Sequence, residues 1–202
     1  MSKKKIAVFI SGRGSNFKAI LNEINKGMIN GSIELVISDN PDAKGLLYAR
    51  DNEIECAVFK KSKDCSRSDY FDKIISTLRA RDIDLILLAG FMKVLSGNIV
   101  RAYRNRVLNI HPALLPSFPG EQAQKQALEY GVKFSGCTVH IVDEGVDTGP
   151  IVLQEAVPVL DDDTEEILSD RILEKEHIIY SRAVKLLCDD KLSITGRRVF
   201  IK

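Results

Sequence analysis

The sequence contains no tryptophan, only three histidines, and four cysteines scattered along the chain without a Cys-x-x-Cys pair. Structural zinc sites need closely spaced ligands, so we expect no bound metal. Isolated cysteines usually behave as small buried side chains. We interpret these four as reduced thiols, which fits a cytoplasmic protein: Cys56, Cys65, Cys137 and Cys188.

A long apolar run and an excess of charge are also missing. No run reaches the roughly 20 residues that span a bilayer, and the first apolar stretch stops at Ser11, too early for a signal peptide. The chain has 29 basic and 28 acidic residues, whereas nucleic-acid backbones need a basic excess or a basic face. We therefore expect small-molecule substrates, no nucleic acid and no membrane, in a monomer or homodimer.

The composition that is present is typical of a folded protein. The chain has 202 residues, of which 45% are hydrophobic and 28% are charged. This length suits one sizeable domain and is short for two. We expect a single domain over 1–202, without internal repeats.

Strand-like and helix-like segments alternate through the first half. Short apolar runs typical of buried strands are followed by apolar residues at helical spacing. Alternation of this kind predicts an α/β, doubly wound, mostly parallel sheet whose ligands bind beyond the carboxyl ends of the strands. The predicted strands are 6–10, 33–37, 56–59, 85–89 and 107–110. The first predicted helix begins at a cap on Ser15 or Asn16, and the next three cover 43–51, 68–81 and 96–103.

The pattern changes after Pro112. A proline-containing loop and a helix over 123–130 precede two strands of alternating character, 136–142 and 151–159, which predict an antiparallel addition to the sheet. Thr164 is placed to cap a long final helix. The polar and basic tail from Ser193 has no pattern that predicts an element.

The run Ser11-Gly-Arg-Gly-Ser-Asn16 joins a predicted strand to a helix. Its glycines allow a ligand to approach the backbone, and the N–H groups at a helix start favour an anion. Phe17 stands where a dinucleotide fingerprint has its third glycine, so an NAD site that would use Asp39 is disfavoured. A phosphate monoester fits the loop better, and a tight turn without ligand is the structural alternative.

Asn109 and His111 end a predicted strand. Alternate residues share one face of a strand, so the amide and the imidazole point the same way and suit a carbonyl oxygen that gains charge. A histidine that is merely hydrogen-bonded at a strand end is the alternative. Asp147, in the acidic loop 143–150, could face His111 and hold it cationic, although such loops are usually solvated turns.

The two other histidines give weaker signals. His140 lies within a predicted strand, where a buried histidine with satisfied hydrogen bonds is the more frequent case. His177 and its neighbour Glu176 lie in the final helix, where the default expectation is the surface.

Four motifs occur in a recognisable order. With them the chain closely resembles the phosphoribosylglycinamide formyltransferases of purine biosynthesis, from about residue 6 to about residue 187. The Asn-Ile-His-Pro run with its downstream Asp loop is specific for folate-dependent formyltransferases, and the Ser-Gly-x-Gly-Ser-Asn start narrows the resemblance to the glycinamide ribonucleotide branch. The motifs are Ser11–Asn16, Ala89–Leu95, Leu108–Pro116 and Asp143–Pro150.

The resemblance implies transfer of the formyl group of 10-formyltetrahydrofolate to the amine of N1-(5-phospho-D-ribosyl)glycinamide in IMP biosynthesis, without a metal. It implies a Rossmann-like fold with a nucleotide-binding half at about 1–105 and a folate and catalytic half at about 106–190. Asn109 and His111 would stabilise the tetrahedral oxyanion, and Asp147 would raise the pKa of His111.

The resemblance also assigns binding residues by position. The nucleotide would be held by Gly14, Ser15, Asn16 and Glu176, the last near the substrate amine. The folate would be held by Arg67, Met92, Lys93, Val94, Leu95, Asn109, Val142, Asp143 and Asp147. Two positions depart from the pattern: Gln124 where many relatives have histidine, and Lys93 where arginine is frequent.

Three other functions compete with this one. The methionyl-tRNA formyltransferases carry an extra basic C-terminal domain, for which this chain has neither the length nor the charge. The formyltetrahydrofolate hydrolases carry a regulatory domain before the catalytic one, whereas the first predicted strand begins at Ile6. A catalytically silent nucleotide-binding module would not need Asn109, His111 and Asp147 together.

Overall fold

The computed structural model describes residues 3–62 and 64–202. Seven strands form its main sheet: β1 (Lys4–Ile10), β2 (Gly31–Ser38), β3 (Glu55–Val58), β4 (Leu85–Leu88), β5 (Val107–His111), β6 (Phe134–Ile141) and β7 (Ile151–Pro158). Their order is β3-β2-β1-β4-β5-β6-β7. The first five pair in parallel, and β6 and β7 are antiparallel. The expected fold class is confirmed.

Helices cover both faces of the sheet: α1 (Ser15–Asn25), α2 (Lys44–Asp51), α3 (Arg67–Arg79), α4 (Gly97–Ala102), α5 (Ala123–Tyr130) and α6 (Glu165–Cys188). Alternate side chains of β1 explain the two layers, because Val8 packs with α1, α2 and α6 while Phe9 packs with α3 and α4. The bounds of the predicted elements differ from the observed ones by at most two residues.

The long helix α6 fixes the central strands. Its start is capped as expected, since the Thr164 hydroxyl accepts a hydrogen bond from the Ile167 N–H. Near its middle, the buried Tyr180 hydroxyl lies 2.9 Å from the Leu88 carbonyl oxygen and 3.1 Å from that of Leu108. This contact holds α6 against the carboxyl end of β4 and the start of β5, next to the site residues.

Two local expectations need correction. The residue at the N-cap of α1 is Gly14, with φ 70, and no side chain of the described residues caps this helix, neither Ser15 nor Asn16. A left-handed glycine makes the turn from β1 tight, and an added Cβ would lie 3.1 Å from the Gly45 Cα. The tail without a predicted element forms a hairpin of β8 (Leu192–Thr195) and β9 (Arg198–Ile201).

No helix in the described part of the chain is long and apolar enough to cross a membrane.

Candidate active site

Three loops meet at the carboxyl edge of the sheet because β1, β4 and β5 are neighbours there. They border two adjoining cavities, which share Gly90 and Met92 in their walls. We call the one of about 310 Å³ that is lined by Asn109 and His111 the Asn109 cavity. The other, of about 340 Å³ and lined by residues 11–16 and by Glu176, is the Ser15 cavity. A larger groove of about 520 Å³ between α1 and α6 contains none of Asn109, His111 and Asp147.

His111 is buried between two acceptors. Its Nε2 lies 2.8 Å from the Phe118 carbonyl oxygen, and its Nδ1 lies 3.3 Å from Asp147 Oδ2. A carbonyl oxygen can only accept, so Nε2 carries a hydrogen. The structure therefore brings Asp147 against His111 from 36 residues downstream.

Burial and Asp147 act in opposite directions on the pKa of His111. Burial lowers this pKa below its ordinary value, whereas the Asp147 carboxylate and the Phe118 carbonyl act to raise it. The expected effect of Asp147 on the pKa of His111 is thus present, but in the protein without ligand burial is the larger effect. Without Asp147, the pKa of His111 in the same buried site would be lower still.

Asp147 is held as a carboxylate in a strained backbone position. Its φ is 54, a left-handed conformation that costs a non-glycine residue energy. The Gly120 N–H donates to its Oδ2 at 2.8 Å. Burial would raise the pKa of Asp147, but the neighbouring His140, the Gly120 N–H and the His111 ring together outweigh burial and lower this pKa.

His140 is the site residue that the sequence alone did not assign. It is buried with satisfied hydrogen bonds, as expected, yet it also lines the Asn109 cavity. Its Nδ1 donates to the Ile141 carbonyl oxygen at 3.0 Å. Its Nε2 lies 3.1 Å from Asn109 Nδ2 and 3.5 Å from Asp147 Oδ1, so it accepts from Asn109 in the neutral ring and donates to Asp147 in the protonated ring. The sequence carried no signal for this, because His140 joins the site through the antiparallel pair β5–β6, in which it stands directly opposite Asn109.

Asn109 is oriented by this contact. One N–H of its amide is directed at His140, and the same nitrogen makes only a long contact of 3.4 Å with Asp147 Oδ1. In the protein without ligand both N–H groups of Asn109 therefore have a partner, and the longer bond, to Asp147, is the weaker one. Asn109, His111, Asp147 and His140 form one buried or half-buried cluster.

The Ser15 cavity joins the start of α1 to α6. Asn16 Nδ2 donates to Glu176 Oε2 at 2.7 Å, and Asn16 Oδ1 is buried without a hydrogen-bond partner among the described residues. The default expectation of a surface position is wrong for Glu176, which is 7% exposed. Burial raises the pKa of the Glu176 carboxyl, while the Asn16 hydrogen bond acts in the opposite direction.

The residues expected near a folate lie around the Asn109 cavity, with one exception. Arg67 points its guanidinium at backbone carbonyl oxygens, with Nη2 2.6 Å from Val94 O and 3.2 Å from Leu95 O. It thus holds the segment that lines the cavity and is absent from the cavity wall itself. The expected residues in that wall are Met92, Lys93, Val94, Leu95, Asn109, Val142, Asp143 and Asp147.

Comparison with known proteins identifies the family. A model of the formyl transferase family matches residues 4–184. The phosphoribosylglycinamide formyltransferase of Bacillus subtilis is 41% identical over 91% of this chain and 94% of its own length. The crystal structure of glycinamide ribonucleotide transformylase 1 from Symbiobacterium toebii has a TM-score of 0.96 and 48% identity, over 98% of this chain and 94% of that one.

The chain belongs to the phosphoribosylglycinamide formyltransferase family. The resemblance on which the sequence motifs were interpreted is thereby confirmed.

Some members of this formyltransferase family are far longer than the chain. The trifunctional purine biosynthetic protein adenosine-3 of Drosophila melanogaster is 48% identical over 92% of this chain, which spans 14% of that protein. The chain spans 62% of the chloroplastic enzyme of Vigna unguiculata, with 39% identity. A formyltetrahydrofolate deformylase from Pseudomonas syringae shares the fold, with a TM-score of 0.92 at 24% identity.

Proposed function

We propose that this formyltransferase transfers the formyl group of 10-formyltetrahydrofolate to the amine of N1-(5-phospho-D-ribosyl)glycinamide in IMP biosynthesis. The observation that carries the proposal is the cluster of Asn109, His111 and Asp147 in the wall of a cavity that adjoins the Ser15 cavity. Two substrates in adjoining cavities can meet at one reactive carbon, which supplies the proximity that a transfer needs.

The nucleotide is assigned to the Ser15 cavity. Gly14, Ser15 and Asn16 present backbone N–H groups at the start of α1, a favourable position for a phosphate. The Asn16 side chain is engaged with Glu176, so its part in phosphate binding would come from the backbone. Glu176 would lie near the substrate amine. Gln124 lines the same cavity at the position where many relatives have histidine.

The folate is assigned to the Asn109 cavity. Its wall includes the exposed apolar side chains Met92 and Val94, which would cover an aromatic ring. Lys93, Leu95, Val142 and Asp143 complete the proposed folate contacts, and Arg67 would act by holding the segment 94–95. The cavity takes residues from both proposed halves of the domain, 1–105 and 106–190.

The carbonyl oxygen of the formyl group gains negative charge when the amine attacks its carbon. The Asn109 N–H that makes only the long 3.4 Å bond to Asp147 would turn to the oxygen and stabilise that charge. A donor of this kind contributes about 3 to 4 kcal/mol in favourable cases. His140 would keep the Asn109 amide in place through the 3.1 Å contact. The environment is buried, which strengthens such an interaction.

Proton movement is assigned to His111 and Asp147. The attacking amine must lose a proton, and the folate nitrogen must leave as a neutral amine. His111, with a carboxylate 3.3 Å from its Nδ1, would take up one proton that the pair then shares. The proton would reach the leaving nitrogen from this pair or through water.

Compartment, metal requirement and oligomeric state complete the proposed function. We propose that it works in the cytoplasm, which agrees with four cysteines that are free of disulfides, whereas the plant relatives are chloroplastic. We propose that it needs no metal and acts as a monomer or homodimer. Size-exclusion chromatography with light scattering would distinguish the two oligomeric states.

The decisive experiment is an acceptor competition. Purified protein is incubated with 10-formyltetrahydrofolate and either glycinamide ribonucleotide, methionyl-tRNA or buffer alone, with chelator present in a parallel series. We expect formylated nucleotide only, unaffected by chelator. Formate release in buffer at a comparable rate, or formylated methionyl-tRNA, would overturn the proposal.

A further inference from the structure

Ser11 joins the two cavities. It opens the loop that lines the Ser15 cavity, and its backbone N–H donates to the Gly90 carbonyl oxygen at 2.9 Å. Its hydroxyl oxygen accepts a hydrogen bond of 2.9 Å from the backbone N–H of Met92, a residue in the wall of both cavities. A displacement of Ser11 would therefore displace the segment that lines the Asn109 cavity.

Asp39 organises this junction. The Ser11 hydroxyl donates to Asp39 Oδ1 at 2.6 Å, and Lys93 Nζ lies 3.1 Å from Asp39 Oδ2. The Asp39 side chain is only 12% exposed, so both of its oxygens are engaged in a poorly solvated place, where such bonds are strong. Asp39 lies in the wall of neither cavity.

The geometry distinguishes this role from ligand binding. A carboxylate after the second strand would bind ribose hydroxyls in a dinucleotide site, but here its oxygens face Ser11 and Lys93 instead. The Asp39 carboxylate thus contacts the loops after β1 and β4 at once. Ser11 also bonds directly to Gly90 and Met92, and Asn40 Nδ2 donates to the Ser11 carbonyl oxygen at 3.2 Å.

We propose that Asp39 is a positioning residue that couples the two substrate sites, so that a nucleotide in the Ser15 cavity tightens folate binding in the Asn109 cavity. Binding of a phosphate at 11–16 fixes Ser11, and Ser11 fixes Met92 and Lys93 through the contacts described above. Once the nucleotide has ordered the segment that contains Met92 and Lys93, the folate no longer has to pay the entropy of ordering it. The two ligands are then positively coupled. This inference rests on the proposed function, since it assigns the two ligands to the two cavities.

The test measures the dissociation constant of tetrahydrofolate with and without saturating glycinamide ribonucleotide, a pair that cannot react because no formyl group is present. In the wild type we expect the nucleotide to tighten tetrahydrofolate binding by about fivefold or more. The ratio of the dissociation constants without and with nucleotide should fall below about twofold in Asp39→Ala. In Asp39→Asn, which keeps an acceptor for Ser11, this ratio should lie between those of Asp39→Ala and the wild type. By reciprocity, tetrahydrofolate must tighten the nucleotide by the same factor.

Asp42→Ala is the matched control, because Asp42 is an exposed acid of the same turn and lines neither cavity. Its ratio should equal that of the wild type. A wild-type ratio of one, or an undiminished ratio in a folded Asp39→Ala protein, would overturn the coupling. If Asp39→Ala does not fold, an undiminished ratio in Asp39→Asn decides against it in the same way. Failure of the wild type to formylate the nucleotide would instead refute the proposed function.

Discussion

At the scale of single residues, the site depends on one chain of polar contacts from His140 through Asn109 and Asp147 to His111. Each member limits the orientation or the charge of the next. Loss of one member of a buried network costs more free energy than one ordinary hydrogen bond contributes, because the neighbouring groups remain buried without a partner.

Replacement of His111 or Asp147 by alanine should abolish most turnover while nucleotide binding survives. Both side chains lie in the Asn109 cavity and outside the wall of the Ser15 cavity, so the nucleotide keeps its contacts. We expect kcat to fall by about two to three orders of magnitude, as for other preorganised catalytic groups. Steady-state kinetics and calorimetric titration with nucleotide measure the two effects, and near-normal turnover in either variant would refute the assigned roles.

Replacement of His140 by alanine should lower kcat by about tenfold, which corresponds to the loss of one orienting hydrogen bond. Asn109 would lose the acceptor that fixes its amide, whereas nucleotide affinity should stay the same. His140→Asn, which can still present an acceptor, should recover part of the loss. The assignment fails if alanine and asparagine at this position give the same kcat as the wild type.

At the scale of elements, the contact between α1 and α6 builds the Ser15 cavity. The hydrogen bond from Asn16 to Glu176 joins residues 160 positions apart, and it is made inside the protein. The elevated pKa of Glu176 means that its charged form is disfavoured by the fold.

Glu176→Gln tests this contact. A group with a raised folded-state pKa contributes stability that is complete below its ordinary value of 4.5 and is lost as the pH rises through the folded-state pKa. The variant lacks that loss, so its Tm relative to the wild type should be higher at about pH 8 than at about pH 5. The KM for nucleotide should rise by about tenfold, since an amide replaces a carboxyl group that lines the nucleotide cavity. Equal Tm differences at both pH values would contradict the prediction.

At the scale of the whole molecule, stability should depend on the buried histidine. The folded protein binds a proton on His111 less readily than the unfolded chain, because burial lowers the pKa of His111 from its ordinary 6.5. The contribution of this group is complete above pH 6.5 and is lost as the pH falls through the lower folded-state pKa.

We therefore expect the Tm of the wild type to fall between about pH 7.5 and about pH 5, and the fall to be smaller in His111→Gln. Some of the fall should remain in that variant, because burial also lowers the pKa of His177. Thermal unfolding followed by circular dichroism measures both proteins. An identical fall would show that His111 does not titrate differently in the folded state.

The sequence by itself determined the elements and the positions of the main motifs. The apolar runs, the helical spacing and the turn residues are local properties, so β1 to β7, α1 to α6 and the pair Asn109 and His111 could be predicted from them. The acidic loop suggested Asp147 as a partner of His111, and the resemblance then assigned roles to Asp147 and Glu176, which lie far from the other site residues along the chain.

The tertiary structure alone decided what depends on packing between distant segments. His140 joins the site because β6 pairs with β5 at that register, and Asp39 meets Lys93 only because β2 and β4 flank β1. The lowered pKa of His111 follows from burial, which outweighs its carboxylate neighbour. Local pattern specifies which face a side chain takes, whereas its partners and its charge are set by the segments that enclose it.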